Sequence, residues 1–112
     1  MLFRSQGIEK NEAKAFKWYK KSAKQGHSDA QNKLGLFYGN GIGVEKNLKK
    51  VIYWYQESAK NENKFAQYNL GKCYRHGKGV KKNKTKALKY FNKSAENGHV
   101  KAQLIVQNWK YN

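Results

Sequence analysis

Small and apolar residues recur along this chain with the spacing of helical turns. The first such stripe, between residues 14 and 24, consists of Ala15, Trp18, Tyr19, Ser22 and Ala23. The second, between residues 30 and 38, consists of Ala30, Leu34, Phe37 and Tyr38. Lysine, asparagine and other polar residues fill most of the positions between them. Residues spaced in this way share one face of a helix, so each stripe predicts an amphipathic helix with one buried side.

Both stripes recur with a step of 36 residues and without insertions. Trp18-Tyr19 returns as Trp54-Tyr55 and as Tyr90-Phe91, and the Ser-Ala and Ala-Gln pairs keep the same step. The repeat predicts six helices near residues 12–25, 28–40, 47–61, 64–76, 83–97 and 100–110. We expect a single helical-repeat domain over residues 1–112, divided into a partial repeat 1–27, repeats 28–63 and 64–99, and a half-repeat 100–112. Helix pairs that cannot bury their apolar faces alone stack into an all-α solenoid.

Residues between the stripes predict how the helices begin and end. Asparagine is a preferred N-cap, so we predict this role at the three equivalent positions Asn11, Asn47 and Asn83. Gly26 and Gly98 are placed to end helices in the left-handed conformation. The middle copy has Glu62 at that position, and we predict that the neighbouring Asn61 or Asn63 takes the left-handed role.

Two features predict local contacts in the second type of helix. Ser28 and Gln31 have the spacing of a capping box. Gly35 and Gly71 lie inside their predicted helices, where glycine costs about 1 kcal/mol relative to alanine. We interpret both glycines as positions where the backbone of another helix approaches closely.

The glycine-rich stretch YGNGIGVEKN, residues 38–47, could be a phosphate loop or a turn. A dinucleotide fingerprint needs G-x-G-x-x-G after a strand, but Val44 stands where the last glycine should be and a helix precedes. The other copies keep Gly7 and Gly79 and lose the equivalent of Gly39. The pattern therefore favours a turn between helices and implies no nucleotide or other cofactor.

The charge of the chain is extreme, with 24 Lys and Arg against 7 Asp and Glu, a formal net charge of +17. Such a charge favours anionic partners in general. Only Arg4 and Arg75 are arginine, the side chain whose planar fork suits phosphate and base edges best. We therefore interpret most of the lysines as a solvated surface. The 16 aromatic residues exclude a disordered chain, because bulky groups offset the entropy of ordering.

No arrangement of reactive residues predicts catalysis or metal binding. His27 and His99 are equivalent positions two repeats apart, His76 stands alone, and a metal needs three or four converging ligands. We interpret the histidines as exposed residues flanking helices and Cys73 as a small core residue. The single cysteine, the short apolar start and the absence of a long apolar run predict an intracellular, cytoplasmic protein that does not span a membrane.

Taken together, these motifs resemble the Sel-one-like repeat (SLR) family, which is related to the tetratricopeptide repeat. The residues that carry the resemblance are Ala30-x-x-x-Leu34-Gly35-x-x-Tyr38-x-x-Gly41-x-Gly43-Val44 followed by Trp54-Tyr55-x-x-Ser58-Ala59, and the same pattern from Ala66 to Ala95. The chain departs from the pattern at its end, with Gln107 where glycine is expected and Lys110 where tyrosine is expected. The resemblance implies a right-handed superhelix of antiparallel helix pairs that acts as a non-catalytic adaptor for protein assembly.

The resemblance also implies where a partner binds. In tetratricopeptide-like solenoids the first helix of each pair lines the concave face, which assigns partner binding to Asn32, Leu36, Asn40, Tyr68, Lys72, Arg75, His76, Leu104 and Asn108. This mixture of residues suits a protein or peptide segment, in particular an acidic one. Alternatives are electrostatic binding of nucleic acid or an anionic surface through the lysine-rich third copy, and a regulatory repeat region of a larger enzyme. End-to-end self-association is a further expectation.

Overall fold

The structure, a computed structural model, describes the backbone of residues 6–111 and the side chains of residues 11–110. It contains six α-helices and a final 3₁₀ turn, Trp109–Tyr111, with no strand in this part of the chain. The helices are α1 (Gln6–Lys24), α2 (Ser28–Asn40), α3 (Leu48–Lys60), α4 (Lys64–His76), α5 (Lys84–Glu96) and α6 (Val100–Gln107). Each helix packs on the next one along the chain, and the whole is a right-handed α-solenoid of antiparallel pairs, as predicted.

One continuous core runs along the solenoid and contains most residues of the predicted stripes. Leu34 and Leu70 are completely buried in α2 and α4, and Phe91 is completely buried in α5. Trp54 is 8% exposed and belongs to the same core cluster as Tyr38 of α2. The equivalent Trp18 is 64% exposed, so the prediction that every copy buries its Trp-Tyr pair is wrong for this residue. One repeat before Tyr38, at the position that would pack near Trp18, the sequence has Leu2, which lies outside the described residues.

The glycine-rich segments are turns between helices, as predicted. Gly41 and Gly77 follow α2 and α4 in the left-handed conformation, with φ of 67° and 70°. The side chains of Asn47 and Asn83 then cap α3 and α5 by accepting hydrogen bonds from backbone N–H groups three residues later. The N–H of Asn47 donates in turn to the carbonyl of Tyr38 at 3.0 Å, which ties the turn to the preceding helix.

The first copy does not form this turn, so the predicted N-cap at Asn11 is wrong. Helix α1 begins at Gln6 and runs through Gly7 and Asn11. In the other copies the turn starts with a left-handed glycine, but the equivalent residue here is Ser5. A side chain disfavours the left-handed conformation, so the sequence of the first copy lacks the glycine with which this turn starts in the other copies.

The predicted capping box at Ser28 and Gln31 is also wrong. His27 is the N-cap residue of α2 and its side chain makes no capping bond, while Ser28 already belongs to the helix. Gln31 is buried and uses its amide in two tertiary bonds. Its Nε2 donates to the carbonyl of Ala23 at 3.1 Å, and its Oε1 accepts from Asn61 Nδ2 at 3.1 Å. A buried amide must be satisfied by partners in the core, and this requirement overrides the local cap.

The repeats are joined by a hydrogen-bond pattern that recurs with the sequence. Ser58 Oγ donates to the carbonyl of Ser28, and Ser94 Oγ donates to the carbonyl of Lys64, both at 2.7 Å. Gln67 repeats the two bonds of Gln31 one copy later, with the carbonyl of Ala59 and the side chain of Asn97. These serines and Gln67 are completely buried, so their bonds hold successive helix pairs in one register.

Gly35 and Gly71 make room for aromatic rings rather than for a helix backbone, which corrects the sequence prediction. A Cβ on Gly35 would lie 2.5 Å from the ring of Tyr55, and a Cβ on Gly71 would lie 2.8 Å from the ring of Phe91. Close approach to a helix backbone occurs instead at the turns. A Cβ on Gly79 would lie 3.1 Å from the carbonyl oxygen of Leu48, at the start of α3.

The turn between α3 and α4 has Glu62 itself in the left-handed conformation, with φ of 61°. The prediction that Asn61 or Asn63 takes this role is therefore wrong. Asn63 is needed elsewhere, because its side chain accepts from the N–H of Ala66 and caps α4. The equivalent glycines, Gly26 and Gly98, have φ of 91° and 93°.

Glu62→Gly is expected to stabilise the protein by about 1 kcal/mol, since it removes the penalty of a left-handed residue with a side chain. Little is lost with the carboxylate, because its bond from Asn97 is exposed and 3.3 Å long. The measurement is the midpoint of urea unfolding. Glu96→Gly is the control: it lies in the last turn of α5, where glycine should lower the midpoint. An unchanged or lower midpoint for Glu62→Gly would contradict the prediction.

Candidate binding groove

The described part of the chain contains a cavity of about 260 Å³ between α2, α3 and α4, here called the α2–α4 groove. Its apolar walls come from Leu36, Gly39, Val51, Tyr55 and Cys73. Its polar rim is formed by Asn40, Asn69, Lys72, His76 and Lys78. The groove therefore combines an apolar interior with amide and cationic groups at its opening.

The repeat explains why these residues meet. Leu36 and Asn40 lie one helical turn apart on α2, and Lys72 and His76 occupy the equivalent positions on α4, 36 residues later. The same face of two successive repeats thus forms the two sides of the groove. A hydrogen bond from Asn69 Nδ2 to the side-chain oxygen of Asn32, 3.1 Å long, links the two helices.

The rim of the groove is positively charged. Lys72 and Lys78 both line it, no acidic residue does, and neither lysine forms an ion pair with an acidic residue among residues 11–110. The Nζ atom of Lys72 lies 4.8 Å from the centre of the Tyr68 ring, a cation–π contact that helps to orient it. An anionic ligand can therefore bind these two lysines without first breaking an ion pair within the protein.

Cys73 lies in the wall of the groove as a core residue. Burial raises the pKa of its thiol, and this effect outweighs the opposing influence of Lys78 and Lys72. The thiol is therefore protonated at neutral pH and is a poor nucleophile, since the thiolate is the reactive form. This agrees with the sequence interpretation of Cys73 as a buried structural residue.

The remaining residues that the sequence assigned to partner binding lie outside the groove. Asn32 is half-buried and bonded to Asn69, and Tyr68 stacks on His99 with 4.5 Å between ring centres. The guanidinium of Arg75 lies over the Trp109 ring at 5.6 Å. Leu104, 54% exposed, and Asn108 lie at the far end of the chain. Of the nine residues, Leu36, Asn40, Lys72 and His76 therefore share the groove, and the other five lie outside it.

Sequence reasoning missed several residues of the groove. Val51 and Tyr55 come from α3, the other helix of the pair, where the 36-residue step places them in the predicted buried stripe with Ala15 and Tyr19. Lys78 lies in the turn after α4, at the position that Ile42 occupies one repeat earlier. Helical periodicity carries no signal for a turn residue, so only the folded chain brings the Lys78 side chain to the rim beside Lys72.

The histidines do not converge. His27 is exposed, whereas His99 is half-buried against Tyr68 and Phe65, so the interpretation of His99 as an exposed residue is wrong. Burial and the nearby Lys101 and Lys64 lower the pKa of His99. Within the described residues, no group of three His, Cys, Asp or Glu side chains is placed to hold a metal ion, and no helix is long and apolar enough to cross a membrane.

An α-solenoid of 36-residue repeats defines the class of helical-repeat proteins. The comparison with protein families identifies the particular one: the Sel1 repeat profile matches residues 1–27, 28–63 and 64–99. The chain belongs to the Sel1 repeat family. Proteins of this family are generally scaffolds for protein–protein interaction and generally non-catalytic. A comparison with curated protein sequences finds no match.

Solved structures with the same fold include three bacterial proteins. A Sel1 repeat protein from Oxalobacter formigenes is 35% identical, with a TM-score of 0.80, over 83% of this chain and 70% of that one. Cysteine-rich protein B of Helicobacter pylori is 31% identical, with a TM-score of 0.78, over 80% and 68%. A protective antigen of uropathogenic Escherichia coli strains, described as having an SLR fold, is 33% identical, with a TM-score of 0.78, over 80% of this chain. The aligned part spans only 19% of that antigen.

Proposed function

We propose that this chain is a non-catalytic scaffold that binds a protein segment on the face formed by α2, α4 and α6. The observation that carries the proposal is the α2–α4 groove, in which side chains from the same face of two successive repeats line one cavity. Concave, mostly apolar clefts with a few polar groups are the usual form of a ligand-binding site. The family supports the proposal, because Sel1 repeat proteins typically bind proteins.

A second candidate function is the binding of a polyanion such as nucleic acid. It is favoured by the charge distribution, because residues 63–95 contain ten of the lysines and arginines and no acidic residue. Most of these lysines are exposed, including Lys81, Lys82, Lys84, Lys86 and Lys89. These five lysines are spread over a turn and the surface of α5, and none of them lines the α2–α4 groove, which is the arrangement expected for non-specific attraction.

Photo-crosslinking from single positions tests the proposed face. A benzophenone amino acid replaces Leu104 on the proposed face or, as the matched control, Tyr53 on α3, which is similarly exposed (54% and 51%). After irradiation in an extract of the source cells, we expect defined protein adducts from position 104 and not from position 53. Equal adducts from both positions, or none from position 104, would contradict the proposal. Adducts mainly with nucleic acid, lost as the salt rises from about 50 to 200 mM, would favour the second candidate.

End-to-end self-association remains a prediction, and two observations weigh against it. The rings of Tyr55 and Phe91 lie over Gly35 and Gly71, but the equivalent residue at the end of α6 is Gln107, whose side chain would occupy the place of an incoming ring. Each copy also has a net charge of +17, so two copies repel each other at low salt. We therefore do not include self-association in the proposed function.

A further inference from the structure

We infer that the α2–α4 groove is an anchor pocket for one bulky apolar side chain, aromatic or branched aliphatic, of a protein segment whose neighbouring residues are acidic. This inference rests on the proposed function and goes beyond it by stating the chemistry of the bound segment. It is carried by three properties of the groove: the nature of its walls, its size, and the charge of its rim.

The walls of the groove favour an apolar occupant. Leu36, Val51, Tyr55 and Cys73 are apolar or present apolar atoms, and Val51, Tyr55 and Cys73 are buried parts of the core. Water in contact with such walls is displaced favourably by an apolar group. A carboxylate or phosphate pushed against them would lose most of its hydration, and the wall side chains offer it only the Tyr55 hydroxyl and the weak Cys73 thiol as donors, which is costly. The deep part of the groove thus selects against a charged group.

The size of the groove limits what can enter it. A volume of about 260 Å³ accommodates one large side chain. It cannot accommodate a whole helix, which with its side chains is about 10–12 Å across. Binding through a single side chain in a well-fitting pocket is the usual way in which an interface concentrates its affinity in a few residues.

The rim of the groove favours carboxylates next to that side chain. The cations of Lys72 and Lys78 stand on the rim and are close enough to Cys73 for both to influence the pKa of its thiol. No acidic side chain lines the groove to compete for them. Carboxylates on the residues flanking the anchor would reach these lysines and form charge-assisted hydrogen bonds. The amides of Asn40 and Asn69 can bond to the backbone of the segment.

Three fluorescein-labelled nonapeptides test this inference by fluorescence anisotropy at about 0.15 M salt. The first has a central Phe between acidic residues, the second replaces that Phe with Ala, and the third replaces the acidic residues with Gln. We expect the first peptide to bind at least about 10-fold more tightly than either of the others, because each lacks one of the two features that the groove recognises. Equal binding of the first two peptides would overturn the apolar anchor, and equal binding of the first and third would overturn the acidic requirement.

Two matched double variants locate the site. Lys72→Glu/Lys78→Glu reverses the rim, and Lys49→Glu/Lys89→Glu reverses two exposed lysines that do not line the groove. Both pairs change the net charge by the same amount, and Lys72 and Lys89 each lie over a tyrosine ring. We expect the double variant of the rim to lower the affinity for the first peptide at least about 10-fold, and the control variant to lower it less than about 3-fold. Equal weakening would show general attraction to positive charge and would overturn the inference.

A third variant keeps the test decisive if the rim variant does not fold. Asn40 is exposed, so Asn40→Trp can cover the opening of the groove without disturbing the core, and it should abolish binding of the first peptide. Unchanged binding would overturn the inference. Failure of the inference is distinguishable from failure of the proposed function: crosslinks from position 104 together with no binding of the acidic Phe peptide would leave the scaffold in place and reject only this pocket.

Discussion

Phe91→Ala is expected to destabilise the protein by about 3–5 kcal/mol, the usual cost of truncating a fully buried phenylalanine. Phe91 is 0% exposed, and its ring lies over Gly71, 5.8 Å from the ring of Tyr68 and 5.9 Å from that of Trp109. Two other elements, α4 and the final 3₁₀ turn, therefore pack on this side chain of α5. Since the total stability of a small domain is about 5–15 kcal/mol, the variant should lose a large part of it.

The measurement is guanidinium-induced unfolding followed by circular dichroism at 222 nm. Phe65→Ala is the matched control, because Phe65 is an aromatic residue of the same solenoid that is 49% exposed. We expect this control to cost less than about 1 kcal/mol, since most of its surface is already in water. Similar losses for the two variants would contradict the assignment of Phe91 to the centre of the third repeat.

Gly71→Ala is expected to destabilise the protein by about 1–3 kcal/mol, the range found when a well-packed core is overfilled. The sign is the informative part of this prediction, because glycine-to-alanine inside a helix normally stabilises it by about 0.5–1 kcal/mol. Here the new methyl group would lie 2.8 Å from the Phe91 ring. That ring is completely buried, so in a close-packed core it can move only by displacing other side chains. Gly35→Ala should behave in the same way against Tyr55.

Gly39→Ala is the control for the expected loss of stability in Gly71→Ala. Gly39 lies in helix α2, like Gly35, but a Cβ there would meet only a methyl group of Val51 at 3.5 Å, an ordinary packing distance. We expect this variant to be as stable as the parent or slightly more stable in the same unfolding experiment. If Gly71→Ala also raised the midpoint, the ring of Phe91 would not rest on the helix as described.

The two proposed functions give the lysines of the protein different roles. If the α2–α4 groove is an anchor pocket, only the lysines on its rim matter for specific binding, and the other lysines contribute solubility and a faster encounter with acidic partners. If the protein instead binds polyanions, replacing any two exposed lysines should lower the affinity by a similar factor. The pair of charge-matched double variants separates these cases without any knowledge of the natural partner.

The sequence alone predicts the fold because the same pattern of buried and turn positions recurs in each repeat. The stripes recur at a constant step, so three partly degenerate copies identify the buried positions, as the burial of Leu34 and Leu70 confirms. The caps at Asn47 and Asn83 are also predictable, since they depend on bonds within a few residues. Local rules fail where a tertiary bond competes with them. Gln31 does not form its predicted cap, because its amide bonds to Ala23 and Asn61 instead. Glu62 takes the left-handed conformation that the same turn has at Gly26 and Gly98 in the other copies.

The sequence by itself thus determined the all-α architecture, the repeat length, the position of most helices and the buried stripe, because helical periodicity and turn residues act over short distances. Only the tertiary structure decided which side chains meet across repeats. It placed the Phe91 ring over Gly71, left Trp18 exposed while burying Trp54, and brought Lys78 from a turn to the rim beside Lys72. Such contacts depend on how two helix pairs rotate against each other, and no spacing along the chain encodes that rotation directly. The candidate groove consequently became visible only once α2, α3 and α4 were packed together.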